Sequence, residues 1–160
     1  GITRGEDWEY RVEFPSFNFR ITDFQCALGI SQLKKLDRFV EKRREIAAWY
    51  QEALSDNPNL ELPVEKPYAF HSYHLFPVRL KHPQKRKETF RNLRSRGVGV
   101  QVHYIPVYWH PFLESLGYKK GLCPVAEDFY SRVISLPMYP GLKREEFELV
   151  VEEIGGLLNG

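Results

Sequence analysis

Two short stretches concentrate side chains that could do chemistry. The first, Ser16-Phe17-Asn18-Phe19-Arg20-Ile21-Thr22-Asp23, sets a carboxamide and a guanidinium immediately before a helix start. Free N–H groups at such a start, with Asn18 and Arg20 beside them, would suit a phosphate or a carboxylate. The same residues would equally serve as a loop in which Asn18 turns the chain and Arg20 pairs with an acid. The second stretch, Gln101-Val102-His103-Tyr104-Ile105-Pro106-Val107-Tyr108-Trp109-His110-Pro111, is a strand end dense in polar aromatics. Ligand pockets often have this lining. An aromatic core with satisfied histidines would have the same composition. Residue types alone leave both pairs of readings open.

Other chemistries find little support. Cys26 and Cys123 are far apart, and the chain has no CxxC, HExxH or EF-hand spacing for a metal. His71 and His74 are three apart, which on a strand puts them on opposite faces. No GxSxG, P-loop or GxGxxG occurs, and Cys26 among Phe24, Ala27 and Leu28 reads as a buried structural thiol. The 81–96 segment carries seven cations against Glu88 alone. It could form a phosphate-binding patch, or simply a solvated helix face. No aromatics are interleaved for base stacking, so nucleic acid is not an expected partner.

The elements that must position these residues belong to a chain of 160, about one domain. It is 42% hydrophobic and 28% charged with a formal net charge of +2, which excludes a disordered, collagenous or polyanion-seeking protein. Two cysteines suit a reducing compartment, and no apolar run approaches the ~20 residues of a membrane helix. A soluble cytoplasmic domain is expected. Residues 1–21 show no period and are expected to be irregular. Thr22 and Gln25 then have capping-box spacing, and an apolar rhythm runs from Leu33 to Leu54. Unbroken, that helix would span about 45–50 Å, so a break near Lys35–Asp37 or a bridge between two bodies is expected.

Residues 59–70 read as a loop or weak edge strand, and Tyr73–Leu80 as a strand with Pro77 at an edge or bulge. Residues 84–96 read as a helix stopped by Gly97, and Val98–Tyr104 as a half-buried strand. A short helix follows over 112–116. Another begins at Pro124, then comes an extended 134–136, and last an amphipathic helix over 144–158. The pattern predicts an α+β domain with a small antiparallel or mixed sheet packed with helices.

Taken in order, the motifs resemble one family. Phe17-Asn18-Phe19-Arg20-Ile21-Thr22-Asp23-Phe24-Gln25-Cys26-Ala27-Leu28-Gly29 resembles the YNYRMTDIQAALG signature of the DegT/DnrJ/EryC1/StrS sugar aminotransferases. His71–Val78, Gly97–Val107, Cys123-Pro124-Val125-Ala126-Glu127 and Ser135–Gly141 fit the same family, so the likeness covers essentially the whole chain. Within it, the likeness is greatest to members of the pseudaminic acid pathway that aminate a UDP-linked 4-keto-6-deoxy sugar.

The resemblance implies a fold-type I, pyridoxal 5'-phosphate-dependent aminotransferase that works as a homodimer, with glutamate as usual amino donor. It implies that the Schiff-base lysine and the main phosphate loop lie upstream, so no catalytic residue is nominated here. The chain is then expected to be a C-terminal portion: 1–21 following an absent large coenzyme domain, and 22–160 the small domain. Such a piece would not transaminate alone and would expose apolar surface meant for its missing partner. Asn18 matches the asparagine that reaches the coenzyme phosphate of the neighbouring subunit, and Arg20 the arginine beside it. His103 and Tyr104 match a pair bordering the sugar site. Tyr108 stands where many relatives carry histidine, and His110 where many carry glutamine. The rival expectation, from a different class, is a stand-alone nucleotide- or nucleic-acid-binding module using the basic 81–96 helix.

Overall fold

A computed structural model describes residues 2–4, 10–12, 15, 17 and 19–159. Asn18 lies outside the described residues. The chain forms two compact units, Gly1–Leu36 and Asp37–Gly160.

In the first unit, strand β1 (Ile2–Arg4) pairs antiparallel with β2 (Tyr10–Val12), Thr3 opposite Arg11. The sequence reading expected irregular chain here. Three-residue strands are too short for a period of two to stand out. Helix α1 (Asp23–Leu33) begins as expected: Gln25 N–H donates to Thr22 Oγ1 at 3.3 Å and Thr22 N–H to Gln25 Oε1 at 2.9 Å. It buries none of its residues, and Cys26 is half-buried, not the core thiol the sequence suggested. The helical run breaks at Lys34–Lys35, one of the two outcomes expected, and resumes as α2 (Leu36–Leu54).

The second unit holds an antiparallel sheet in the order β3 (Leu60–Glu61), β4 (Phe76–Leu80), β5 (Val133–Leu136). Around it lie α2, α3 (Arg86–Ser95), α4 (Pro111–Ser115), α5 (Pro124–Arg132) and α6 (Arg144–Asn159). This is the expected α+β fold. Pro77 is tolerated in the middle strand because β3 pairs only with Arg79 and Leu80, leaving the ladder open beside it. Strand β5 is buried along its whole length. The neighbouring 98–104 segment keeps the expected alternation, with Val98 and Val100 buried, but forms no strand. It meets β5 at a single bridge, Gln101 opposite Ser135.

The core gathers on Tyr50 of α2. Its ring stacks on Phe76 with centroids 4.9 Å apart and meets Phe147 of α6 edge-on at 5.0 Å. Its hydroxyl donates to the Pro137 carbonyl at 3.0 Å. Burial pushes the phenol's pKa well above its ordinary value, with a lesser contribution from Tyr139. Leu93, Ile134 and Ile154 complete the same apolar body. Tyr50→Ala should therefore destabilise the protein by about 3–5 kcal/mol and Tyr50→Phe by about 1 kcal/mol, read from urea unfolding midpoints.

Candidate functional site

The Gln101–Ser135 bridge decides where the sugar-site candidates stand. Gln101 N–H donates to the Ser135 carbonyl at 3.2 Å, and Ser135 N–H to the Gln101 carbonyl at 2.7 Å. Two residues on, the His103 ring is carried back over the same serine, with Nδ1 2.9 Å from Ser135 Oγ. His103, Gln101 and Ser135 form the polar side of an open cavity of about 490 Å³. Leu136, Met138, Leu142 and Val150 supply its apolar side. At another edge Glu146 accepts from Lys143 N–H at 2.8 Å and from the Tyr139 hydroxyl at 3.1 Å. Those two donors, the backbone N–H first, hold the Glu146 carboxyl below its ordinary range.

Tyr104 follows His103 with its ring edge-on at 4.6 Å and remains 67% exposed. Tyr108 is tied down instead. Its hydroxyl donates to Glu127 Oε1 at 2.7 Å and accepts from Cys123 N–H at 3.2 Å. Burial, and then the Glu127 carboxylate beside it, push this phenol up to about 12. Glu127 is lowered in turn, by the Tyr108 hydroxyl first and by Gly121 N–H. The indole N–H of Trp109, buried without a partner at hydrogen-bond geometry, adds a smaller favourable dipole to that carboxylate.

Arg20 belongs to the first unit, exposed, in a shallow recess with Phe19, Ile21 and Gln25. The structure thus brings His103 and Tyr104 together and ties Tyr108 to the 121–127 turn. Two neighbours of these candidates were missed from sequence, Ser135 and Glu127. Both lie inside motifs that carry the family resemblance, which was the available signal.

Other candidates are partly engaged within the fold. The basic segment spends three of its cations internally: Arg86 Nε on the Ser131 carbonyl, Arg94 on the Val100 carbonyl and Arg96 on Glu153. His71 lies in a second cluster, where Arg44 grips Glu65 with two bonds of 2.7 and 3.2 Å. Glu65 Oε1 also accepts from His71 N–H at 2.7 Å, and the Arg44 guanidinium sits 4.3 Å above the Phe70 ring. Among the described residues no three His, Cys, Asp or Glu side chains gather as metal ligands. No described helix is long and apolar enough to cross a membrane.

The profile of the DegT/DnrJ/EryC1/StrS aminotransferase family matches residues 1–155. The chain belongs to that family. It is 35% identical over 165 residues to the UDP-4-amino-4,6-dideoxy-N-acetyl-beta-L-altrosamine transaminase of Campylobacter jejuni, covering 99% of this chain and 42% of that relative. It is 34% identical over 158 residues to the spore coat polysaccharide biosynthesis protein SpsC of Bacillus subtilis, covering 96% of this chain and 41% of that relative. Among solved structures, the Helicobacter pylori aminotransferase PseC, involved in the biosynthesis of pseudoaminic acid, superposes with a TM-score of 0.85. That likeness is 31% in sequence and spans 99% of this chain and 43% of PseC. The chain therefore spans about two-fifths of the length of these relatives. The small-sheet fold expected from fold-type I aminotransferases is the one observed.

The charge cluster yields a pH prediction. Glu65 is pulled down to about 2 from an ordinary 4.5, by Arg44 first and then by the His71 N–H. A depressed carboxyl stabilises the fold fully above the unfolded value and loses that contribution as pH falls through the folded one. The urea midpoint should fall between pH 4.5 and about 2, and Glu65→Gln should remove that part of the decline.

Proposed function

We propose that this chain forms part of a pyridoxal 5'-phosphate-dependent nucleotide-sugar aminotransferase acting on a UDP-linked 4-keto-6-deoxy sugar, with glutamate as amino donor. The observation that carries this reading is the family match over residues 1–155. The names of the relatives support the sugar class.

The chain's contribution is to bind and orient. Arg20 offers an exposed guanidinium two residues before the cap of α1, a donor set that fits a phosphate. With Asn18 it would hold the coenzyme phosphate, in the manner of a homodimer in which each subunit completes its partner's site. When bound, the coenzyme supplies the electron sink for amino transfer. None of this chain's lysines matches the family's reactive one, so the amine that holds the coenzyme belongs to a large domain N-terminal to it. His103 and Tyr104 would line the sugar side, where Ser135 Oγ holds the His103 ring through Nδ1. Tyr108 would add the face of its ring.

The exposed apolar side chains Phe17, Phe24, Leu28, Ile30 and Leu33 provide surface for that large domain and the second subunit. The setting is cytoplasmic. A nucleic-acid module built on the 81–96 helix is the poorer reading, because Arg86, Arg94 and Arg96 are already engaged.

The test uses the full-length polypeptide that carries this chain, supplied with coenzyme, glutamate and the keto sugar. Amination is expected, and Asn18→Ala or Arg20→Ala should weaken coenzyme binding at least about tenfold in a visible-absorbance titration. Absence of amination, or salt-sensitive nucleic-acid binding in its place, would defeat the reading. Unaltered coenzyme affinity in both variants would remove their phosphate role. His103→Ala should raise the sugar KM about tenfold and leave coenzyme affinity unchanged, measured by steady-state kinetics.

A further inference from the structure

We propose that Glu127 is a positioning residue that locks Tyr108 and the 117–123 loop into one wall of the sugar site, so that Tyr108 presents its ring and not its hydroxyl to the nucleotide sugar. The inference rests on the reading above that the 103–108 segment faces the sugar.

Glu127 stands in the first turn of α5, just after the loop it fastens. A single carboxylate oxygen, Oε1, accepts from both the Tyr108 hydroxyl at 2.7 Å and the Gly121 N–H at 2.6 Å. The Tyr108 oxygen accepts from Cys123 N–H at 3.2 Å, so its proton is committed to Glu127 and a lone pair to the loop. Gly117 and Gly121 take φ of +96° and +93°, which lets the loop double back to reach these partners. The other side of the segment is held by aromatic and cation–π contacts. The Trp109 ring lies edge-on to Tyr130 at 5.5 Å, and the Lys120 ammonium sits 4.6 Å from the Trp109 centroid. A phenol in this state neither donates a proton to a substrate nor takes one from it at neutral pH. What it offers is an oriented aromatic surface, which selects by shape and stacking.

The experiment combines steady-state kinetics of the full-length enzyme with hydrogen exchange of the 117–123 peptide. Glu127→Ala should raise the sugar KM about tenfold, with kcat within about twofold and the glutamate KM unchanged. It should also speed exchange of the Gly121 and Cys123 amides. Glu127→Gln keeps an acceptor oxygen and should restore both to within about threefold of the parent. Tyr108→Phe should free the loop yet raise the sugar KM less than Tyr108→Ala does.

Unchanged exchange in Glu127→Ala overturns the clasp. So does failure of Glu127→Gln to rescue, or an equal rise in the KM of both substrates. Faster exchange together with an unchanged sugar KM in both Glu127→Ala and Tyr108→Ala overturns instead the sugar-facing reading of the segment, and the positioning role falls with it.

Discussion

A buried serine holds the candidate site to the sheet through three of its atoms. Ser135 is 3% exposed on β5, between an apolar isoleucine and leucine, where an unpaired hydroxyl or backbone group would be costly. Its N–H and carbonyl are both satisfied by Gln101, and its Oγ by His103. One residue thus fixes the backbone of the 98–104 segment and the orientation of an imidazole two residues further along. No ladder assists it, since the bridge is isolated. The cavity wall, the turn into Tyr104 and the direction of the following aromatic run all depend on that joint.

The arginines show a comparable economy. Arg43 Nη1 lies 2.9–3.1 Å from three carbonyls, those of Tyr73, His74 and Met138. It thereby ties α2 to the approach to β4 and to the loop leaving β5, at the modest cost of partial desolvation. Arg44 closes the 65–73 loop, and Arg132 joins the end of α5 to Glu61 on β3. Each satisfies backbone or carboxylate groups that irregular segments leave unpaired. A chain with many cations therefore presents a smaller free positive surface than its composition suggests. Three of the seven cations of the basic stretch seen in sequence are part of the scaffold in this way.

Where order is local, the sequence is readable. Helix α5 starts at Pro124, β5 follows it directly, and α6 carries the stripe Phe147, Val150, Ile154, Leu158 into the core. The Thr22–Gln25 cap is legible because both halves of its reciprocal bond lie three residues apart. The β1–β2 pair is not legible, because three-residue strands carry no period. The site divides the same way. His103, Tyr104 and Tyr108 stand out by type and density along one stretch. Their anchors, Ser135 and Glu127, act across separations of 32 and 19 residues, and by residue type alone a serine between isoleucine and leucine does not point to a distant imidazole.

Helix α1 shows the limit of that legibility from the other side. It is rich in apolar residues, the usual sign of a buried helix, yet Phe24, Leu28, Ile30 and Leu33 are all exposed and project to different sides of it. Eleven residues are too few to hold a helix by propensity alone in water. What specifies α1 within its unit is the start: the capping box closes the first turn, and Asp23 places a negative charge at the positive end of the dipole. Periodicity records the surface a helix is built to bury, whereas the cap records where it begins. In α6 the two coincide, with the stripe buried and Glu146 accepting the Lys143 N–H at the entry. In α1 only the second is realised among the described residues.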